Sequence, residues 1–326
     1  MKVFYYLGSF PPPYGGVTNK NELIFEELSR IAVLKRNVST NKIKNVLYLG
    51  RALLFGSQFI VGIGSNRKLE TITKILYMIK KKCMERSIVF VMGGTMADEL
   101  SDNTLLMAKQ YKKMYVETNG MLRKLESKGL NNVALFPNCR KRPAKNYRLN
   151  RSDERVKCVF FSTISKAKGA MIIIDVARSM PEIEFHFYGD IKPDIDDSFN
   201  NAVEGLPNAY YHGKFNGKGE ETYEELAKYD IMLLPTSWKH EGVPGVLIEA
   251  KIAGLSIIAS DYGYNSEIVV DGYNGYLVNN SPNEIREKLL AYVADRGLLS
   301  KHKQNSEKSA SKYFIDNYID AIIQVL

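Results

Sequence analysis

The sequence predicts an α/β protein built on two doubly wound parallel sheets, and three observations carry that reading. Short apolar runs alternate with amphipathic helical stretches along the chain, the pattern of parallel strands whose ligand sits at their carboxyl ends. A length of 326 residues exceeds what one ordinary core supports, so two domains of about 150 residues each are expected. The charge also changes sign near the midpoint. Residues 1–150 hold 26 Lys+Arg against 10 Asp+Glu, and residues 151–326 hold 19 against 26.

Taken in order, Val3 to Leu7 is a strand, followed by the loop Gly8-Ser-Phe-Pro-Pro-Pro-Tyr-Gly15-Gly16-Val17 and a helix from Asn19 to Ile31. Gly15 and Gly16 let the backbone approach a ligand and tolerate positive φ. Phe59 to Ile63 is a strand, Leu69 to Lys82 a basic amphipathic helix, and Ile88 to Met92 a strand ending at Gly93-Gly94. Met114 to Glu117, Leu122 to Lys128 and Val133 to Phe136 complete the first alternation. Pro143 to Glu154 is polar and aperiodic and is predicted to link the domains, 1–150 and 151–312.

The second alternation begins at Val156 to Ser162. It continues through Thr163-Ile164-Ser165-Lys166-Ala167-Lys168-Gly169, a helix to Met180, a strand from Phe185 to Tyr188, an acidic helix from Glu220 and a strand from Ile231 to Leu234. The stretch Ser237 to Asp261 is the centre of the chain. Glu241 and Glu249 lie eight residues apart, with Gly242, Pro244 and Gly245 between them and a short run of helix formers from Val246 to Ala253. A helix therefore starts between the two acids. A wholly helical span would set them about 12 Å apart, beyond the roughly 5 to 9 Å of a hydrolytic carboxylate pair, so they serve separate purposes. Glu249 falls in the early turns of a helix, whose amino end binds anions through free N–H groups of Gly245, Val246 and Leu247.

The pattern Glu241-Gly-Val-Pro-Gly-Val-Leu-Ile-Glu249-Ala, followed by Ala253-Gly254-Leu255 and an apolar strand, resembles the donor-sugar motif of group 1 (family 4) glycosyltransferases of the bacterial surface-polysaccharide type. Asp261-Tyr-Gly263-Tyr264-Asn-Ser-Glu267-Ile-Val resembles a second motif of that family, with Tyr264 in place of a glycine. The resemblance implies the GT-B fold, two Rossmann-like domains facing each other across a cleft, with the last segment, 313–326, packed back on the first domain. It also implies retaining transfer from a nucleotide-sugar to a glycan or lipid-linked acceptor, with no metal or other cofactor. By the same resemblance Glu249 binds the ribose, Glu241 faces the sugar or its leaving diphosphate, Lys168 with Thr163 lies at the diphosphate, and Gly15 and Gly16 overlie it.

Two departures stand out. Ser162-Thr163 replaces the expected Gly-Arg, leaving Lys168 to neutralise most of the diphosphate charge as a point charge rather than a fork. Gly93-Gly94-Thr95 stands where relatives carry a histidine, so Gly93 and Gly94 offer backbone contacts only. His240, beside Glu241, is a candidate proton shuttle, although loop histidines are more often plain surface. Asn138, in Phe136-Pro137-Asn138, is a further candidate, with the end of a domain as the plainer reading.

Other classes fit less well. Asp194-Ile195-Asp196 is a weak cation motif, and Gly62-Ile63-Gly64 lacks the third glycine of a dinucleotide fingerprint. A non-catalytic nucleotide-sugar binding module is the alternative, given the missing Arg and His. No run approaches the roughly 20 apolar residues of a membrane span, the amino terminus reads as a strand rather than a signal peptide, and Cys83, Cys139 and Cys158 show no metal-like spacing. The expected location is cytoplasmic. The basic first half, with clusters at Lys80, Lys81, Lys82, Arg86 and at Arg140, Lys141, Arg142, suggests peripheral contact with an anionic membrane surface; no nucleic-acid motif accompanies it.

Overall fold

The computed structural model describes residues 3–13, 15–39, 41–149, 155–239 and 241–326, without the side chains of Lys42 and Asp196. Met1, Lys2, Tyr14, His240 and residues 150–154 of the expected linker lie outside the described residues. The chain forms two compact units. One comprises the chain up to Lys141, the described residues 241–243 and Tyr313–Leu326; the other comprises Arg142–Lys239 and Pro244–Lys312.

The first unit contains β1 (Val3–Gly8), α1 (Gly16–Leu28), β2 (Val33–Lys35), α2 (Lys42–Phe55), β3 (Phe59–Ile63) and α3 (Asn66–Met84). It continues with β4 (Ile88–Val91), α4 (Met96–Glu99), α5 (Asp102–Ala108), β5 (Lys113–Val116), α6 (Asn119–Ser127) and β6 (Val133–Leu135). All pairings in its sheet are parallel, in the order β2-β1-β3-β4-β5-β6. The central strands, buried on both faces, are apolar: Phe59 to Ile63 is fully buried, as is Ile88 to Val91. Chain order reverses between β1 and β3, so the loops after these strands diverge and leave a crevice there.

The second unit contains β7 (Lys157–Phe161), α7 (Ala170–Ser179), β8 (Glu184–Tyr188), α8 (Asp196–Glu204), β9 (Ala209–Tyr211) and α9 (Glu220–Leu226). Then come β10 (Ile231–Leu234), α10 (Gly245–Ile252), β11 (Ser256–Ser260), β12 (Gly275–Val278), α11 (Pro282–Ala294) and α12 (Arg296–Ala310). Its sheet is parallel, in the order β12-β11-β10-β7-β8-β9, with the reversal between β7 and β10. The loops after those two strands carry Lys168 and the segment leading to α10.

Three expectations are corrected. The segment before 150 is not a free linker: Glu220 accepts hydrogen bonds from the Ala144 N–H (2.8 Å) and the Tyr147 hydroxyl (2.6 Å), and Arg148 pairs with Glu307 at 2.6 Å, so it packs on the second unit. Helix α2 and strand β2 were not anticipated, although Asn41 caps α2 by accepting from the Ile43 and Lys44 N–H groups and Gly56 ends it. The apolar stripe from Tyr313 to Leu326 is α-helical only over α13 (Ile319–Val325), with a 3₁₀ turn at Ile315–Asn317 before it. Before it, the Arg140 N–H donates to the Tyr313 carbonyl (2.8 Å) and the Ile315 N–H to the Arg140 carbonyl (2.9 Å), a pairing that a continuous helix would forbid. Ile315, Ile322 and Leu326 join Phe4, Tyr6, Ile24 and Phe136 in the core of the first unit.

Helix α10 is apolar on nearly all sides and buries Lys251, whose ammonium donates to the Ile268 carbonyl at 2.7 Å. Burial, with Lys312 nearby, pushes the Lys251 ammonium down to about 7. Between that value and the ordinary lysine value of about 10.4 the unfolded chain holds a proton that the folded chain has released. Stability therefore rises with pH through this window, and the full cost of burying the charge is present below about 7. Urea unfolding should show Lys251→Met more stable than the parent at slightly acid pH, the difference shrinking as pH rises toward 10; parallel pH profiles would rule this out.

Candidate functional site

In the second unit the loop after β7 is locked against the loop after β10. The Ser237 N–H donates to the Ala167 carbonyl at 2.8 Å, and Gly169 takes φ +79° with its Cα against the Pro235 carbonyl. A Cβ there would stand 2.1 Å from that oxygen, so only glycine permits both the turn and the approach. The Lys168 N–H donates to Ser165 Oγ (3.3 Å). Lys168 is thus fixed at the amino end of α7, half-buried, at the reversal point of the sheet. Thr163 lies in the same loop, half-buried, beside the close approach of Gly189 to the Ser162 carbonyl. Asp194 accepts the Lys166 N–H (3.1 Å), which gives it a place in shaping this loop.

Helix α10 starts at Gly245, after Pro244 in extended conformation and with no side-chain cap. The start falls between Glu241 and Glu249, and Glu249 is the fifth helical residue, half-buried. Leu247 differs from the expectation: its N–H is engaged by the Pro244 carbonyl at 3.1 Å, because the first turn is tight. The donors that helix geometry leaves without an intrahelical acceptor are those of Gly245 and Val246.

Glu241 belongs by packing to the first unit. Its carbonyl lies against Gly94, where a Cβ would stand 2.1 Å away, so the glycine is needed for the approach of the 241–242 backbone. Gly93, at φ +127°, donates its N–H to Glu117 Oε2 (3.3 Å), while Glu117 Oε1 pairs with the Lys20 ammonium at 3.0 Å in a buried ion pair. Lys20 also donates to the Phe136 carbonyl (3.2 Å). Asn138 donates to the Val243 carbonyl at 2.9 Å and accepts from Arg140 at 2.9 Å. Gly93, Gly94 and Asn138, expected near the ligand, are therefore seen holding the chain segment that carries Glu241. Nothing in the sequence signalled the Lys20–Glu117 pair, whose members are 97 positions apart. His240 lies outside the described residues.

Gly15 caps α1 in extended conformation at φ −176°, and Gly16 is its first helical residue, so neither uses the positive φ that glycine tolerates. Thr18 turns its hydroxyl onto the Pro13 carbonyl (2.9 Å). Beside this helix start, at the reversal between β1 and β3, is a pocket of about 700 Å³. It is lined by Phe10, Pro12 and Val17 after β1, Ser65 and Lys68 at the start of α3, and Tyr48 from α2. Asn21, fully buried, sets the pocket floor by donating to the Ser9 (2.8 Å) and Gly62 (3.1 Å) carbonyls and accepting from the Tyr6 hydroxyl. Gly62 and Gly64 thus belong to a packed strand end. Among the described residues no group of three His, Cys, Asp or Glu side chains is arranged to hold a metal ion.

Two doubly wound parallel units of this kind are those of the GT-B fold. The fold is shared over the full chain with HepE of Anabaena in complex with UDP-glucose (TM-score 0.76, 15% identity, 100% of both chains). It is shared equally with the sucrose-phosphate synthase of Thermosynechococcus elongatus (TM-score 0.76, 11% identity, 100% of this chain and 98% of the other). Residues 155–295, within the second unit, match the family model Glycosyl transferases group 1. An uncharacterized glycosyltransferase of Methanocaldococcus jannaschii is 27% identical over 166 residues, 49% of this chain and 42% of that protein. A Klebsiella pneumoniae protein described only as lying in a cps region is 25% identical over 167 residues, 50% of this chain and 42% of that protein. The match spans less than half the length of these curated relatives.

Replacing Glu117 by Gln leaves the Lys20 charge buried without its carboxylate, which should cost about 3–5 kcal/mol in urea unfolding. The paired replacement Lys20→Met with Glu117→Leu should recover a large part of that loss; equal losses in both variants would show that the pair is not what stabilises this corner.

Proposed function

We propose that the protein transfers a sugar, with retention of anomeric configuration, from a nucleotide-sugar donor to a glycan or lipid-linked acceptor during surface-polysaccharide assembly. The observation that carries this reading is the face of the second unit at its β7/β10 reversal, where the Lys168 loop is hydrogen-bonded to the loop after β10. Glu249 accepts the ribose hydroxyls. The N–H groups of Gly245 and Val246, together with Lys168, take up the diphosphate, and Glu241 faces the transferred sugar. Glycosyl transfer builds positive charge on the sugar and negative charge on the leaving diphosphate, so fixed donors at the phosphates contribute most in the transition state. A lysine and a helix amino end meet that requirement without a cation, hence the proposal of a metal-independent enzyme. HepE was solved with UDP-glucose, which makes UDP-sugars the first donors to test.

The first unit would take the acceptor in the pocket between β1 and β3, with Gly15 and Gly16 at its rim, and its basic surface would bring the protein to an anionic membrane on the cytoplasmic side. Among the described residues no helix is long and apolar enough to cross a membrane. A second reading, a nucleotide-sugar binding module without turnover, is favoured by Ser162-Thr163 and Gly93-Gly94 standing where relatives have Arg and His. UDP release from a UDP-sugar with a lipid-linked acceptor, measured with and without EDTA, separates the readings: the enzyme passes the sugar to the acceptor hydroxyl and releases UDP with chelator present, a binding module releases none, and a metal-dependent enzyme stops.

Glu249→Gln should weaken UDP binding at least about tenfold by isothermal titration with the fold intact; an unchanged affinity removes the ribose assignment. Lys168→Ala should lower kcat by more than it raises the dissociation constant of the donor, because the contact strengthens as the diphosphate leaves. Equal losses would mean that Lys168 binds ground state and transition state alike.

A further inference from the structure

Helix α2 has two apolar sides, and only one of them is packed. Tyr48, Leu49, Ala52 and Leu53 face inward, with the Tyr48 hydroxyl donating to the Lys35 (2.5 Å) and Tyr6 (3.1 Å) carbonyls and Tyr48 lining the pocket. On the other side Ile43, Val46, Leu47, Leu54 and Phe55 are 68% to 74% exposed. At 3.6 residues per turn, Ile43, Val46, Leu47, Gly50 and Leu54 form one stripe along the helix, with Lys44, Arg51 and Phe55 along its edge. A continuous stripe of large apolar side chains in water is uncommon on a soluble surface and marks a place of association.

The surrounding charge says with what. No Asp or Glu occurs between Glu27 and Glu70, while Arg30, Lys35, Arg36, Lys42, Lys44, Arg51, Arg67 and Lys68 do. Helix α3, which packs beside α2, repeats the combination at its end, with Met78 and Ile79 exposed next to Lys80, Lys81 and Lys82. A second copy of this chain would bring the same cations face to face, since a twofold interface sets like against like. An anionic bilayer offers both complements, headgroup phosphates for the cations and acyl chains for the stripe, which is how an interfacial helix binds.

We infer that the outer face of α2 is a membrane anchor lying in the plane of an anionic bilayer, its stripe sunk among the acyl chains. The inner face of the same helix lines the pocket of the first unit, so an acceptor that stays anchored in the lipid is delivered to the pocket along α2. This inference rests on the membrane part of the proposed function and needs no donor, so its failure leaves the nucleotide-sugar reading intact.

The test uses the full chain with vesicles of phosphatidylcholine alone or with added phosphatidylglycerol. Leu47→Trp should show a blue shift and quenching by acyl-brominated lipid in the anionic vesicles beyond that of the parent, whose sole tryptophan is Trp238. Ile43→Ser, Leu47→Ser and Leu54→Ser combined should lower binding at least about tenfold. Lys80, Lys81 and Lys82 changed to Glu should lower it in a salt-dependent way. An unquenched Leu47→Trp, or serine-variant binding equal to the parent's, overturns the anchor while leaving a purely electrostatic contact. Equal binding to neutral vesicles, or none to any, overturns the anionic bilayer as the occupant. A parent dimer in sedimentation without lipid that becomes monomeric in the serine variant would assign the face to self-association and equally overturn the proposal.

Discussion

The buried ion pair between Lys20 and Glu117 is the constraint on which the strand-end corner of the first unit depends. Glu117 stands just past the end of β5 and Lys20 in α1, and the carboxylate divides its oxygens between the Lys20 ammonium and the Gly93 N–H. Taking two charges out of water costs several kcal/mol per ion, and the arrangement is tolerable only because the remaining hydrogen-bonding capacity is used. Lys20 spends one proton on the Phe136 carbonyl and stands 4.8 Å from the Phe136 ring centre. The pair therefore ties α1, β4, β5 and β6 together at the strand ends, where Gly94 receives the backbone of Glu241. Geometry at the glutamate is set by groups that never reach it.

The second unit achieves the same end without an ion pair among the contacts described for its loops. Its loops are held by backbone contacts that only glycine permits, above all Gly169 on the Pro235 carbonyl, and by Ser260, whose hydroxyl donates to the Thr236 carbonyl at 2.6 Å. Away from the site it has its own buried pair, Lys303 with Asp230 at 2.7 Å, and Asp230 also accepts the Lys157 N–H at the start of β7. Rigid loops at a sheet's reversal point suit a ligand whose phosphates need donors fixed in advance, since donors already in place cost no reorganisation during reaction.

The two units differ in what they show to solvent. The first combines a pocket with an apolar and basic outer helix, and the second is close to neutral, with 22 Lys+Arg against 23 Asp+Glu, and places half-buried polar groups at the sheet end. That contrast suits the proposed roles, an anionic donor met by local dipoles and one lysine in the second unit and a membrane-borne acceptor met by the surface of the first.

The sequence by itself determined the two parallel sheets, because period and apolar runs in strands such as Phe59 to Ile63 report burial on both faces. It also determined the start of α10 between Glu241 and Glu249, because Pro244 and Gly245 admit no earlier helix. Helix α2 was legible in principle from the Asn41 cap and the Gly56 stop. Its second apolar side hides the usual contrast between faces, which is why periodicity alone passed it over. Tertiary structure alone decided the rest. The partners Lys20 and Glu117 are joined only by folding, the Gly93-Gly94 pair is explained only by the chain segment that packs on it, and the Tyr313 to Leu326 stripe breaks its helix because Arg140 offers the backbone a better partner. Local pattern records what a residue prefers. Which distant group will meet it is a property of the fold.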